Sequence, residues 1–258
     1  MGVFRNRATG ALIAIMIALV VVGYIIAKVY YSTINKSVDP RVVPARELYA
    51  GYGDYAREGN YYNILDLLDS VESIYESYPH YSNSYEIGVI NNNRAAAIIT
   101  ISLFSDSIPE EYNPFIEIPS DSLLTIAELN INKAIGLYNN WLGKYRDKSE
   151  EEIIQLIEPE FVIGMDNTEP DLIRRYMEAR AEEITESVGE TERRLSVCYT
   201  NLGVIKRQRK EYKEAIQYYE KALELWSRNL SAENNLNALL GRPIRKRNLI
   251  QKLFPPEK

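Results

Sequence analysis

The amino-acid sequence predicts an all-α chain, with one membrane-spanning helix followed by a stack of helices. Three observations lead there. Residues 8–27 carry no charged side chain, and Ala11 to Ala27 is almost wholly aliphatic. Further on, apolar residues recur at helical spacing, as in the stripe Ile173, Tyr176, Met177, Ile184, Val188, Leu195, Tyr199 and Leu202. The dipeptide Asn201-Leu202 also returns 34 residues later as Asn235-Leu236, a period typical of stacked helical repeats.

The first elements follow from hydropathy. Residues 1–7 form a short basic tail containing Arg5 and Arg7, and 8–31 is expected to be a transmembrane signal-anchor helix closed by Lys28. Twenty residues at 1.5 Å rise span roughly 30 Å, the thickness of a bilayer's hydrocarbon core. A cleaved signal peptide has an apolar core of ~7–15 residues ending in a small-x-small site. Here the run is longer and Ile25 and Ile26 precede Ala27, so an uncleaved anchor is expected. The basic flanks nearly tie: Arg5 and Arg7 before, Lys28, Lys36 and Arg41 after. Short basic N-tails usually stay in the cytoplasm, which places 30–258 on the extracytoplasmic side of a bacterial inner membrane. The single Cys198 permits no intrachain disulfide and leaves the side undecided. Ala14 and Ala18 form a small-xxx-small pair compatible with a homodimer. Residues 32–44 read as a linker, because Pro40 and Pro44 disfavour helix at Asp39 and Val43.

The strongest motif lies near the other end. Tyr199, Leu202, Gly203, Ala215, Tyr219 and Ala222 place large and small residues so that two antiparallel helices can approach closely. This pattern resembles the tetratricopeptide repeat family, with Lys206 and Ser227 departing where an aromatic and a proline are usual. The resemblance implies an α-solenoid of about three helix pairs plus a capping helix over 45–241. Its clearest repeat is 196–229. Its cap is 230–240, where Leu236, Leu239 and Leu240 pack before Gly241 and Pro243 stop the helix. A weaker copy is expected at 45–79, carried by Tyr55, Gly59, Tyr61, Leu68 and Pro79. A third is split: Asn92-Asn93-Arg94-Ala95-Ala96-Ala97 looks like a first helix, and 122–142 supplies the second through Ala127, Ile131 and Ala134. Pro109, Pro114 and Pro119 interrupt the pair across 104–120. Residues 143–170, punctuated by Pro159 and Pro170, read as an acidic excursion whose later part is an ordinary loop, and 242–258 as a basic tail.

Composition narrows function further. The 20 tyrosines, nine of them between Tyr49 and Tyr85, are expected to pack between helices with hydroxyls at the solvent edge. Between Ser149 and Arg194 stand fourteen acidic residues against five arginines, read as a solvated helical face. His80, the only histidine, is expected on a surface turn, and Cys198 in the core. No Walker loop, GxGxxG, HExxH or GxSxG occurs. No catalytic, cofactor or metal site is expected, and the net charge of −6 disfavours nucleic acid.

In the tetratricopeptide family the first helices line a concave groove, and Asn residues there hold a peptide's main chain. The resemblance therefore nominates Asn92, Asn93, Asn201, Asn234 and Asn235 as the partner-binding set. Val197 and Asn201 stand where basic residues of a terminal-carboxylate clamp would be, so no such clamp is expected. The expected function is a non-enzymatic, membrane-tethered scaffold or adaptor for a protein or peptide partner in an envelope complex. The alternatives are a self-associating structural membrane protein and, least favoured, an envelope hydrolase using acidic residues of 104–170.

Overall fold

The structure is a computed structural model and describes residues 38–246. The basic N-tail, the expected membrane helix, residues 32–37 of the linker and residues 247–258 lie outside the described residues. All regular structure within them is helical: α1 Val43–Ala50, α2 Tyr52–Glu58, α3 Tyr61–Glu76, α4 Tyr85–Phe104, α5 Ser120–Tyr145, α6 Glu150–Phe161, α7 Pro170–Gln208, α8 Tyr212–Leu225 and α9 Leu230–Leu239, with 3-10 turns at Ser105–Ser107 and Glu110–Tyr112. Neighbours in sequence pack in pairs, α1 and α2 on α3, α4 on α5, α7 on α8, and α9 closes the stack against α8 and α7.

Local chemistry sets the helix ends. Pro44 opens α1, where a missing N–H costs nothing. Gly59 ends α2 in the left-handed region at φ 69°. The Asn60 side chain then accepts from the Asn63 N–H at 3.0 Å and starts α3. Ser149 and Glu152 form a reciprocal capping box at the head of α6. Asn229 accepts from the Ala232 N–H at 3.0 Å to begin α9, and its amide donates to Ser196 Oγ at 2.8 Å and Thr200 Oγ1 at 2.9 Å. One capping residue thus ties the last helix to α7.

Two expectations change here. The segment 143–170 contains α6, with Pro159 inside its last turns. An internal proline costs about 3 kcal/mol, and it is offset because Ile153, Ile157 and Phe161, one turn apart, are all buried. Pro170 starts a 39-residue helix. His80 is buried, not on the surface: only 5% of it is exposed, and it packs edge-on against Tyr81 and Phe161. α4 continues into a stretch, Tyr85–Ser107, long and apolar enough to cross a membrane, yet more than half of its apolar window is buried in the core. It is the central helix of the folded domain.

A third expectation changes at 32–44, read as a linker: residues 39–42 pack on the domain, and α1 already begins at Val43, because a proline is tolerated in a helix's first turn. The Arg41 guanidinium grips Asp39 at 2.8 Å and donates to the carbonyls of Phe161 and Ile163 at 2.9 and 2.8 Å. It thereby satisfies the open end of α6. Asp39 also accepts from the Tyr81 hydroxyl at 3.1 Å.

Candidate functional site

A groove of about 390 Å³ runs where α1, α4 and the middle of α7 converge. Its apolar surface comes from Tyr49 on α1, Tyr85 and Val89 on α4, and Val71 and Tyr75 of α3 beneath them. Its second wall is α7, through Glu183, Glu186, Ser187, Glu190 and Arg194. Helical periodicity puts these α7 residues on one face, since they recur at intervals of three and four. Trp141 on α5 fixes that wall by donating from Nε1 to Ser187 Oγ at 2.9 Å.

Charge on the walls is largely paired. Arg46 forks onto Glu183 at 2.6 and 2.8 Å. Buried Arg180 binds Glu86 at 2.6 and 3.0 Å, Glu183 at 3.1 Å and His80 Nε2 at 3.1 Å. Burial works against ionisation of Glu86, but Arg180 overrides it and holds the carboxyl at about 2. His80 goes the other way: burial first, then Arg180, push it down to about 3, so it stays neutral. Arg194 differs from the other groove cations. Its Nε donates to the Tyr85 hydroxyl at 3.2 Å, and no carboxylate lies within 4.0 Å among the described residues. Burial opposes its charge, yet neighbouring Tyr85 raises its pKa above the ordinary arginine value.

The nominated amides do not form one line. Asn92 is buried and accepts from Asn201 Nδ2 at 3.1 Å and from Cys198 Sγ at 3.4 Å. Asn93 donates to the Tyr49 hydroxyl at 2.5 Å, at the groove's edge. Asn235 accepts from Arg207 at 3.0 Å and donates to the Ser231 carbonyl at 2.9 Å. Asn234 holds the main chain of Arg245 at both its N–H and its carbonyl, at 2.8 and 2.9 Å. So α4 and α7 share one amide pair, the cap holds two more, and Asn93 stands apart on Tyr49. Arg194, Tyr85 and Ser187 were not among the sequence candidates. No three His, Cys, Asp or Glu side chains converge for a metal among the described residues.

Close helix packing is clearest between α7 and α8. Gly203 lies directly beneath the Tyr219 ring, where a Cβ would come within 2.6 Å of Cδ1 and 2.9 Å of Cζ. Ala215, Tyr219 and Ala222 have no exposed surface. Residues 196–229 match the family described as tetratricopeptide repeat. The chain carries a tetratricopeptide repeat. No curated protein and no solved structure matches it. The same kind of contact recurs outside the matched repeat. Gly88 of α4 lies under Tyr138 of α5, with Cε1 2.7 Å from a Cβ built there. This glycine–tyrosine contact joins the helices that the sequence reading paired as a split tetratricopeptide repeat.

Proposed function

We propose that this chain is a non-catalytic, membrane-tethered scaffold whose groove holds a segment of a protein partner in an envelope complex. Tetratricopeptide repeats are protein-interaction modules in general, and one is present here. The observation that carries the reading is the open, tyrosine-lined groove between α1, α4 and α7, with hydrogen-bonding groups at its rim. Asn93 donates to groove-lining Tyr49, and Asn201, further along α7 than the lining residues, donates to Asn92; their amide oxygens have no partner among the described residues. These oxygens, and the second N–H of each amide, are suited to a peptide's main chain. The charge-free run at 8–27 supports the tether, and its short basic N-tail supports an extracytoplasmic domain.

The test places a photo-crosslinking residue at Val89 in the groove or at exposed Glu220 on α8. Full-length protein is irradiated in native membranes and its adducts are identified. Adducts to another envelope protein from Val89, absent from Glu220, are the expected result. Equal labelling from both positions, or none from Val89, overturns the groove as the partner site.

A further inference from the structure

We infer that the groove recognises an isolated internal acidic side chain of the partner polypeptide, paired with Arg194 and followed by an apolar side chain against Tyr49, Tyr85 and Val89. This rests on the scaffold reading above and names what the partner must present. Arg46 is paired with Glu183, Arg180 with Glu86 and Glu183, and Arg193 with Glu190. Among the described residues Arg194 has no carboxylate within 4.0 Å, and its side chain makes one hydrogen bond, from Nε to Tyr85. Its terminal nitrogens are not sealed in the core. A planar fork of donors therefore faces the groove with no anion on it. A carboxylate matches that fork in geometry as well as charge.

The surroundings make the pairing worth more than an exposed ion pair. Arg194 is half-buried beside Tyr85, where the effective dielectric is lower than in water. The Tyr85 hydroxyl accepts from Arg194, and the Tyr49 hydroxyl accepts from Asn93. Each hydroxyl keeps its own proton to donate to an incoming oxygen.

The same wall limits how acidic the partner can be. Glu186 lines the groove and has no cation within 4.0 Å among the described residues. Eight residues separate it from Arg194, about 12 Å along a helix. A run of acidic residues would bring like charge against Glu186, so a single acid in apolar context is favoured. Along α7 the groove lining runs from Glu183 through Ser187 to Arg194, while the helix itself continues past that point. A side-chain carboxylate within a chain fits this layout, and a chain terminus is not required.

The experiment uses full-length protein in detergent micelles and fluorescent, N-acetylated, C-amidated peptides. Each carries one Glu followed by Leu or Phe. Matched sets carry Gln in place of Glu, three consecutive Glu, or Gln with a free C-terminal carboxylate. Anisotropy should show Glu peptides binding about tenfold more tightly than their Gln partners, with the triple-Glu and free-terminus sets no better than single Glu. Arg194→Gln should erase the Glu preference, Arg194→Lys should keep part of it, and Arg194→Glu should reverse it toward Lys peptides. Melting curves of each variant confirm folding. Equal binding of Glu and Gln peptides by the natural protein, a Glu preference that survives Arg194→Gln, or no binding by any set overturns the inference. So does a free-terminus set that binds best. Val89 adducts that persist unchanged in Arg194→Gln sink the acidic-residue inference alone. Absence of Val89 adducts in the natural protein sinks the scaffold reading itself.

Discussion

Substituting Gly203 by alanine tests whether the close approach of α7 and α8 holds the repeat together. An added methyl would lie 2.6 Å from Tyr219 Cδ1 and 2.9 Å from Cζ. The ring has no exposed surface and its hydroxyl is buried without a partner, so it has no easy route away. Overpacking of this kind costs about 1–3 kcal/mol. Alanine also gains about 1 kcal/mol over glycine inside a helix, which leaves a net loss of roughly 0–2 kcal/mol. That alone would be hard to interpret, but the same helix contains an internal control. A Cβ at Gly189 meets nothing within 4 Å, so Gly189→Ala should stabilise by about 0.5–1 kcal/mol. The gap between the two variants isolates the packing cost, near 1–3 kcal/mol. For a domain of about 200 residues this corresponds to roughly 2–12 °C in Tm. Thermal unfolding of full-length protein, followed by circular dichroism at 222 nm, reads it directly. Gly88→Ala, under Tyr138, should fall on the Gly203 side of the comparison. A Gly203→Ala protein as stable as Gly189→Ala would refute the argument that this contact sets the helix spacing.

Two further predictions concern buried polar groups. His80 is held neutral at about 3, by burial and then by Arg180, against ~6.5 in an unfolded chain. Between those values the unfolded chain binds a proton that the folded one refuses. Stability is therefore full above pH 6.5 and falls as pH drops through the window, by up to ~1.4 kcal/mol per unit. Glu86 adds its own loss only below its usual 4.5. In urea titrations, His80→Asn should flatten the decline between pH 6.5 and 4.5, and an unchanged slope would show that His80 is not its source. Truncating Asn92 to alanine should cost about 1 kcal/mol, and a double-mutant cycle with Asn201→Ala should give a coupling above ~0.5 kcal/mol. Simple additivity would mean that the amide pair contributes nothing to joining α4 and α7.

What could be read from the sequence was local in its physics. Gly203, Ala215, Tyr219 and Ala222 act within one helix pair, and their sizes and spacing already describe the contact. The helix at 122–142 was legible for the same reason, lying within α5. Gly88 escaped notice because its partner, Tyr138, is 50 residues away, across the insertion. α6 was masked by Pro159 and its acid-rich neighbours, although Ile153, Ile157 and Phe161 carried a helical period. His80 was misplaced because its cover, Phe161 and Arg180, comes from 81 and 100 residues downstream. The tyrosines were half legible. They do pack between helices, but the hydroxyls of Tyr138 and Tyr219 end in the core instead of at its edge. Arg194 looked like one cation on an acidic face, and only the fold separates it from the carboxylates that pair with its neighbours.

The long α7 explains why the groove and residues 39–42 form one structure. Its last part belongs to the repeat at 196–229, while the residues before it have two other contacts. Glu183 through Arg194 make a wall of the groove, and Arg180 sits 4.7 Å over the Tyr81 ring, whose hydroxyl donates to Asp39. Asp39 in turn holds Arg41, which closes the end of α6. Arg180 also binds Glu86 at the groove's edge. A continuous set of contacts therefore runs from Asp39, near the start of the described residues, to the groove's edge. Loss of any buried member leaves an uncompensated charge or acceptor, a cost of several kcal/mol for a paired ion. A pull on the N-terminal segment would therefore be borne by the helix that shapes the groove, not by a loose hinge.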